Sequence, residues 1–479
     1  MSISLNSRII LLGVILVLFS GCEKFNFTPY DGTDVSDYGA KQFLYNVYMT
    51  DNPEVEKNTH MMTGYYYWSN QVQQRDFNLN ESVQSFFDGI LYPKDKWSFV
   101  LTADEWRAKS EGIVYGTFGA SFGQPFEYYG YSDIKVRFVY PGSPFDEKGI
   151  TRGWTLTHID GTPWRQMSLT DVNNALLYPT VGRTYNFTFI DLQGEEHIFP
   201  IAPAATLNTR SSLLTTIFNA AEFPDLNNDQ VGYFHYLSFK ENMIEDVLSA
   251  MLFFKRQGIK KLILDLRYNQ GGDGEATHLL ANLLASSEAN GKVFSTKEHN
   301  KKFSKYNSSD YITFSQDYSL DLTDLYIITG YGSASASEVL LNGLKPLMNV
   351  KCVGDTTYGK PTGMYSLMFP GDDYSYAQYQ SGNYSNLRYV FYPICFYNVN
   401  SIGEKIPETG IVPDNYRPDD LFHDFGVEED NIRACLFHIA HNVYPDLPPL
   451  AKSRGANYKI LKISEENINK NYGIHTIKF

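Results

Sequence analysis

The chain has 479 residues, 43% of them hydrophobic and 20% charged, which is too long for one compact core and too apolar for a disordered chain. A formal net charge of −14 supplies no basic field for phosphates, so nucleic acid is excluded as the main partner. No block of like charges stands out, and the acidity reads as a solvated surface.

The first segment reads as targeting rather than fold. Arg8 provides a positive start, and residues 9–19 (IILLGVILVLF) have the length of a signal-peptide core but are short for a membrane span. Leu18-Phe19-Ser20-Gly21-Cys22 resembles a bacterial lipobox. That resemblance implies removal of residues 1–21, acylation of Cys22 and a tether over residues 22–34. The mature chain is then expected at the bacterial cell envelope, anchored by lipid on the periplasmic or the outer face. No other long apolar run follows, so the expectation is a tethered and not a spanning protein. Cys352, Cys395 and Cys435 are far apart and form no CxxC pair, which argues against zinc and for buried, inert thiols.

Residues 35–111 carry helical or mixed patterns (FLYNVYM, MMTGYYYW, SVQSFFDGIL) and are read as a small helical N-terminal domain. Residues 112–205 change character. Short strand-like runs (IKVRFV, WTLTHI, TYNFTFI, EHIFPI) alternate with turns at Pro141-Gly142, Asp160-Gly161 and Gln193-Gly194, and LTDVNNALL has helical periodicity. The stretch GSPFDEKGITRGWTLTHIDGTPW resembles a PDZ domain, with Trp154 where that family usually has Asp. The resemblance implies that an extended peptide is added as a strand and that its terminal carboxylate is cradled by backbone N–H groups, here around Gly116, Phe118 and Gly119.

Residues 206–445 alternate strands (GYFHYLSF, KLILDLR, LYIITG, KCVGD) with helices (MIEDVLSAMLFFKRQG, GEATHLLANLLA, SEVLLNGLKPL), which predicts a mostly parallel sheet covered by helices. Ligands in such folds sit beyond the carboxyl ends of the strands. EEDNIRACLFHIAHNV is a closing helix, and residues 446–479 form a polar tail.

Chemistry concentrates in loops that follow strands. Tyr331-Gly332-Ser333-Ala334-Ser335-Ala336-Ser337-Glu338 opens a helix, where free N–H groups and the dipole favour developing negative charge. A Ser-x-x-Glu pattern at a helix start is also an ordinary capping box. Lys360 stands in a Gly-flanked loop, Thr357-Tyr358-Gly359-Lys360-Pro361, where burial would lower its pKa and make it a base. Asp265-Leu266-Arg267-Tyr268-Asn269-Gln270-Gly271-Gly272 ends a buried strand in a turn able to aim N–H groups at an oxyanion.

In this order the three loops resemble the S41 family of carboxyl-terminal processing serine proteases, whose hallmarks are DLR-x-N-x-GG, SASASE and T-[FY]-GK. The resemblance spans residues 40–440. It implies a multidomain α/β protein: a ClpP/crotonase-like core, an inserted PDZ-like β-rich domain and the helical N-terminal domain. It further implies Ser335 as nucleophile, Lys360 as base 25 residues later, and an oxyanion hole from Ala336 with Gly271 or Gly272. Protein or peptide substrates with exposed C-termini, and no metal or organic cofactor, go with it. Many family members carry a Gln four residues after the Lys, and this chain has Met364, which leaves the dyad but puts a triad in doubt. Neither H-E-x-x-H nor a P-loop competes, and His235 and His278 read as structural. Two rival readings keep the fold without the proteolysis: a catalytically weak, lipid-anchored binder of peptide tails, and a scaffold turned to a non-peptide ligand.

Overall fold

The computed structural model describes residues 34–49, 61–72, 80–123, 133–240, 244–371 and 373–447. The expected signal peptide, Cys22 and most of the tether and tail lie outside them.

The centre is a six-stranded sheet in the order Ser212–Phe218, Val231–Tyr236, Lys261–Asp265, Asp324–Thr329, Val350–Gly354, Asn415–Tyr416. The first pair is antiparallel and all later pairs are parallel. Strands buried on both faces need apolar residues at successive positions, which is why they read as unbroken hydrophobic runs. Alternation still decides the partner. Leu262, Leu264, Leu325, Ile327 and Cys352 face the helices Ile244–Arg256, Gly274–Leu284 and Ala336–Leu344. Val231, Tyr233, Ile263, Ile328 and Val353 face the closing helix Asp430–His441. Cys352, Cys395 and Cys435 are free and buried, as the spacing suggested.

Residues 113–208 leave and re-enter the core through one paired stalk, Ile113–Thr117 against Ala204–Asn208. Between them lies an antiparallel sheet in the order Ala120–Gly123, Ile134–Val139, Thr155–Ile159, Tyr185–Ile190, Glu196–Ile201. The helix Leu169–Leu176 closes its core around Phe118, Phe145, Phe187 and Trp164.

The N-terminal segment does not keep a core to itself. Its helices Asp37–Met49 and Val83–Ile90 share one apolar cluster with Leu367, Phe369, Phe391 and Ile394 from late in the chain. Its strand Phe99–Thr102 pairs antiparallel with Tyr389–Tyr392, an element the helical reading of this segment did not contain. The local reason is that Val83, Phe86, Phe87 and Ile90 make one apolar helix face, which is covered jointly by Phe43, Tyr66 and Trp97 of the same segment and by Leu367, Phe369, Phe391 and Ile394.

Phe391 is fully buried and its ring lies 5.3 Å from Phe87 and 6.4 Å from Phe43. Phe391→Ala is expected to cost about 3–5 kcal/mol. It should also raise hydrogen exchange in the distant segment Val83–Ile90, measured by mass spectrometry. Unchanged exchange there would show that the N-terminal segment stands alone.

Candidate active site

Three loops meet beyond the carboxyl ends of the strands, and their serines show how. Ser333 is fully buried and its Oγ donates to the Leu266 carbonyl at 2.7 Å. Ser337 is also buried, and its Oγ donates to the Asn269 carbonyl at 2.7 Å. Both hydroxyls therefore fasten the Ser loop to the Asp265–Gly272 loop. Ser335, between them, is half-buried and free of that duty. It sits at φ +54°, a conformation that L residues other than Gly adopt at a cost and that surrounding structure must enforce. The helix Ala336–Leu344 begins at the next residue.

One carboxylate gathers the rest. Glu338 is fully buried, and its Oε2 accepts from the main-chain N–H of both Ser335 and Lys360, each at 2.8 Å. Its Oε1 accepts from the Gly359 N–H at 2.7 Å and from Thr357 Oγ1 at 2.6 Å. The Tyr358 N–H adds a bond to the Ser333 carbonyl at 2.9 Å. The Ser-x-x-Glu pattern is thus a capping box whose Glu also clamps the Lys loop. Burial raises the Glu338 carboxyl, and the four donors partly offset this.

Lys360 is buried. Burial lowers its ammonium to about 8, against the upward pull of Asp95 and Glu338. Its Nζ lies 4.0 Å from Met364 Sδ, a weak acceptor. Asp95 belongs to the N-terminal segment, where Tyr66 Oη, Ser98 Oγ and two main-chain N–H groups hold it. Sequence reasoning missed it because no motif marks a carboxylate that reaches the site through packing.

The Gly271-Gly272 turn closes the third side. Asn269 shapes it: its Oδ1 accepts from the Gly271 N–H at 2.9 Å, and its carbonyl receives the Ala334 N–H. That engages the Gly271 amide. Among the described residues the Gly272 and Ala336 amides have no hydrogen-bond partner. Gly271, at φ +100°, is so close to the Ser loop that a Cβ there would lie 2.8 Å from Ala336 N and 2.9 Å from Ser335 Cβ.

A buried ion network sets the base of that turn. Arg267 reaches Asp265 at 2.7 Å, Glu429 at 2.6 Å and Asp419 at 3.1 Å. Arg152, from the β-rich unit, meets the same Asp419 at 2.6 Å and Tyr268 Oη at 2.5 Å. Burial alone would raise the Asp419 carboxyl, but Arg152 and Arg267 hold it well below the usual range. His235 is buried and pushed down to about 4 by burial, so it is a neutral core residue packed on Phe425. His278 bonds the Tyr311 carbonyl at 2.8 Å.

In the β-rich unit, Phe118 fills the core, and the Gly119 N–H donates to Thr117 Oγ1 at 2.9 Å. Gly116 lies in the stalk at φ +53°. The neighbouring strand Ala120–Gly123 is an edge of its sheet.

Residues 230–415 match the model of peptidase family S41, and residues 60–99 match the peptidase S41 N-terminal domain. The chain carries a peptidase S41 domain preceded by a peptidase S41 N-terminal domain. Among curated relatives, a chloroplastic C-terminal processing peptidase of Tetradesmus obliquus is 28% identical over 256 residues, covering 48% of this chain and 48% of that protein. The carboxy-terminal processing protease CtpB of Bacillus subtilis is 32% identical over 157 residues, covering 31% of this chain and 29% of that protein. The chain thus spans about half the length, or less, of these relatives. A Bacteroides fragilis crystal structure provisionally assigned to the S41 proteases superposes with a TM-score of 0.63 at 20% identity, covering 80% of this chain and 96% of that one, which establishes a shared fold. All three loops of the site fall inside the matched S41 segment, whereas Arg152 falls outside both matched segments.

Two outcomes follow for the S41 site. Glu338→Ala leaves three buried amides and a hydroxyl without an acceptor and should cost about 3–5 kcal/mol in denaturant unfolding. A cost below about 1 kcal/mol would remove Glu338 as the clamp. Gly271→Ala should leave the chain folded by circular dichroism. It should still displace Ser335 and Ala336 enough to reduce labelling by a serine-directed probe at least about 100-fold.

Proposed function

We propose that this S41 chain is a serine endopeptidase that cuts exported proteins or peptides near their C-termini through Ser335 and Lys360. The observation that carries the reading is the shared oxygen of Glu338, which puts on one anchor the backbones of Ser335, whose hydroxyl does not tie the Ser loop to the Gly turn, and of a buried, depressed Lys.

Neutral Lys360 takes the Ser335 proton while Oγ bonds to the peptide carbonyl carbon. The oxyanion is met by the Ala336 N–H, on the helix N-terminus, and by the Gly272 N–H. Collapse expels the amine, which leaves with the proton held by Lys360, and an acyl-enzyme remains. Water, deprotonated by Lys360, then releases the acid and restores Ser335. Met364 lacks the hydrogen bond of a Gln, and the charge of Asp95 is available to hold the Lys instead.

The β-rich unit acts in this reading as the PDZ-like recruiter. Its edge strand Ala120–Gly123, following Phe118-Gly119, offers a row of main-chain groups to an extended tail. Acylation at Cys22 would anchor the enzyme at the cell envelope, on the sequence evidence of the lipobox-like stretch.

The test is hydrolysis of an unfolded protein with an apolar C-terminus by wild type, Ser335→Ala and Lys360→Ala. Cleavage lost in both variants is expected. Because the base works only when neutral, kcat/KM should rise with pH and level off above about 8. Cleavage surviving in Ser335→Ala would remove the nucleophile. Tight tail binding with no cleavage by any form would favour the tethered-binder reading.

A further inference from the structure

The turn that leads into the Ser loop carries a large ring that folding leaves mostly in water. Gly330-Tyr331-Gly332-Ser333 is a closed turn: the Ser333 N–H donates to the Gly330 carbonyl at 2.8 Å, and the Gly330 N–H donates to Ser333 Oγ at 3.0 Å. Both glycines lie against the Arg267 carbonyl, where a Cβ would stand 3.1 Å from its oxygen at Gly330 and 2.9 Å at Gly332. The backbone of the turn is thereby pinned to the Asp265–Gly272 loop. Tyr331 stands at the corner between the two glycines and is 57% exposed. Among the described residues of the three site loops it is the only exposed large hydrophobic.

One edge of that ring is walled by the Lys loop. The Tyr331 and Tyr358 rings stand 5.7 Å apart at 77°, the edge-on arrangement that ring quadrupoles favour. Tyr358 is firmly held: its N–H donates to the Ser333 carbonyl at 2.9 Å, and its neighbours Thr357 and Gly359 both donate to Glu338. It is half-buried and packs on the cluster that the N-terminal segment shares with Phe391 and Ile394. The pair thus bridges the seam between the two loops, four residues before Ser335 and two before Lys360. A turn corner ordinarily carries a small or polar residue. A large ring there, on a backbone fixed to the catalytic loops, contributes its apolar area only when something covers it. Ordering it against a partner costs little, because Tyr has two side-chain torsions.

We propose that Tyr331, backed by Tyr358, forms an apolar subsite that takes a large aliphatic or aromatic side chain of the substrate at the scissile bond. This deepens the peptidase reading by naming a substrate class, and rests on that reading for the bond that is cut. A large apolar side chain removes the exposed ring from water together with its own surface. A small side chain leaves the ring exposed, and a charged one gives up its water on the rings without gaining a partner.

The experiment uses one peptide scaffold with a single cut, carrying Phe, Leu, Ser or Asp in turn at each of the two residues joined by the cut bond. The full chain, Tyr331→Ala and Tyr331→Phe are compared. At one of the two positions the wild type should favour Phe or Leu over Ser by at least about tenfold in kcat/KM. Tyr331→Ala should bring that ratio towards one. Tyr331→Phe should keep it, since the ring and not the hydroxyl makes the contact. A purely structural role for Tyr331 would slow all the peptides alike and leave the ratio as it was. A ratio unchanged in Tyr331→Ala, or no apolar preference in the wild type at either position, would overturn the subsite. Should no peptide be cut, the peptidase reading fails separately, and binding of the same peptides to Ser335→Ala by fluorescence anisotropy decides. An apolar preference that disappears when Tyr331→Ala is added upholds the subsite, and its absence or survival removes it.

Discussion

A carboxylate buried at the first turn of a helix organises this molecule's chemistry. Glu338 accepts four donors, one from its own loop and three that lie 19 to 22 residues further along the chain, and two of those donors are the amides of Ser335 and Lys360 on a single oxygen. A buried carboxylate is tolerable only when its oxygens are met by donors, so the two loops must come together for the core to close. Folding of the sheet and assembly of the site are then one event. The positive φ of Ser335 fits this account, because a strained residue persists only where its surroundings over-determine it.

Around that clamp the site is built from every part of the chain. The Ser and Lys loops come from the parallel sheet. Asp95 comes from the N-terminal segment, which is joined to the core by the strand pairing of Phe99–Thr102 with Tyr389–Tyr392. Arg152 brings the β-rich unit to Asp419 and Tyr268, directly before Asn269 and the Gly turn. A charge network of this kind is poor as a source of stability but good at fixing one arrangement among many, since a shifted loop would leave buried charges unpaired.

The central sheet was legible in the sequence because its strands are short apolar runs and its helices amphipathic, and Val231–Tyr236, Lys261–Asp265, Asp324–Thr329 and Val350–Gly354 fall where the patterns lie. Ser335, Lys360, Ala336 and the Gly pair were legible only as a set, since each alone has a bland explanation. For the Ser-x-x-Glu pattern the bland explanation is also true: the cap is the clamp. Asn269 and Glu338 lay inside the quoted motifs, yet their roles depend on which amides they meet. Asp95 and the shared N-terminal core were not legible. They depend on contacts between segments separated by hundreds of residues, and a lone Lys or Asp has no pattern that distinguishes a site from a surface. The hydrogen bond by which Asn269 engages the Gly271 amide is likewise something no spacing reveals.

The departure at Met364 gives the account its sharpest exposure. If the charge of Asp95 and the Glu338 clamp suffice to hold a working base, Ser335 must be a primed nucleophile despite the weak contact of 4.0 Å between Lys360 Nζ and the Met364 sulfur. The direct measurement is covalent labelling by a fluorophosphonate, with the modified residue located by mass spectrometry in the wild type and in Lys360→Ala. The account predicts stoichiometric label on Ser335 and its loss in Lys360→Ala. An unlabelled wild type, or label on Ser335 that is indifferent to Lys360, would contradict it.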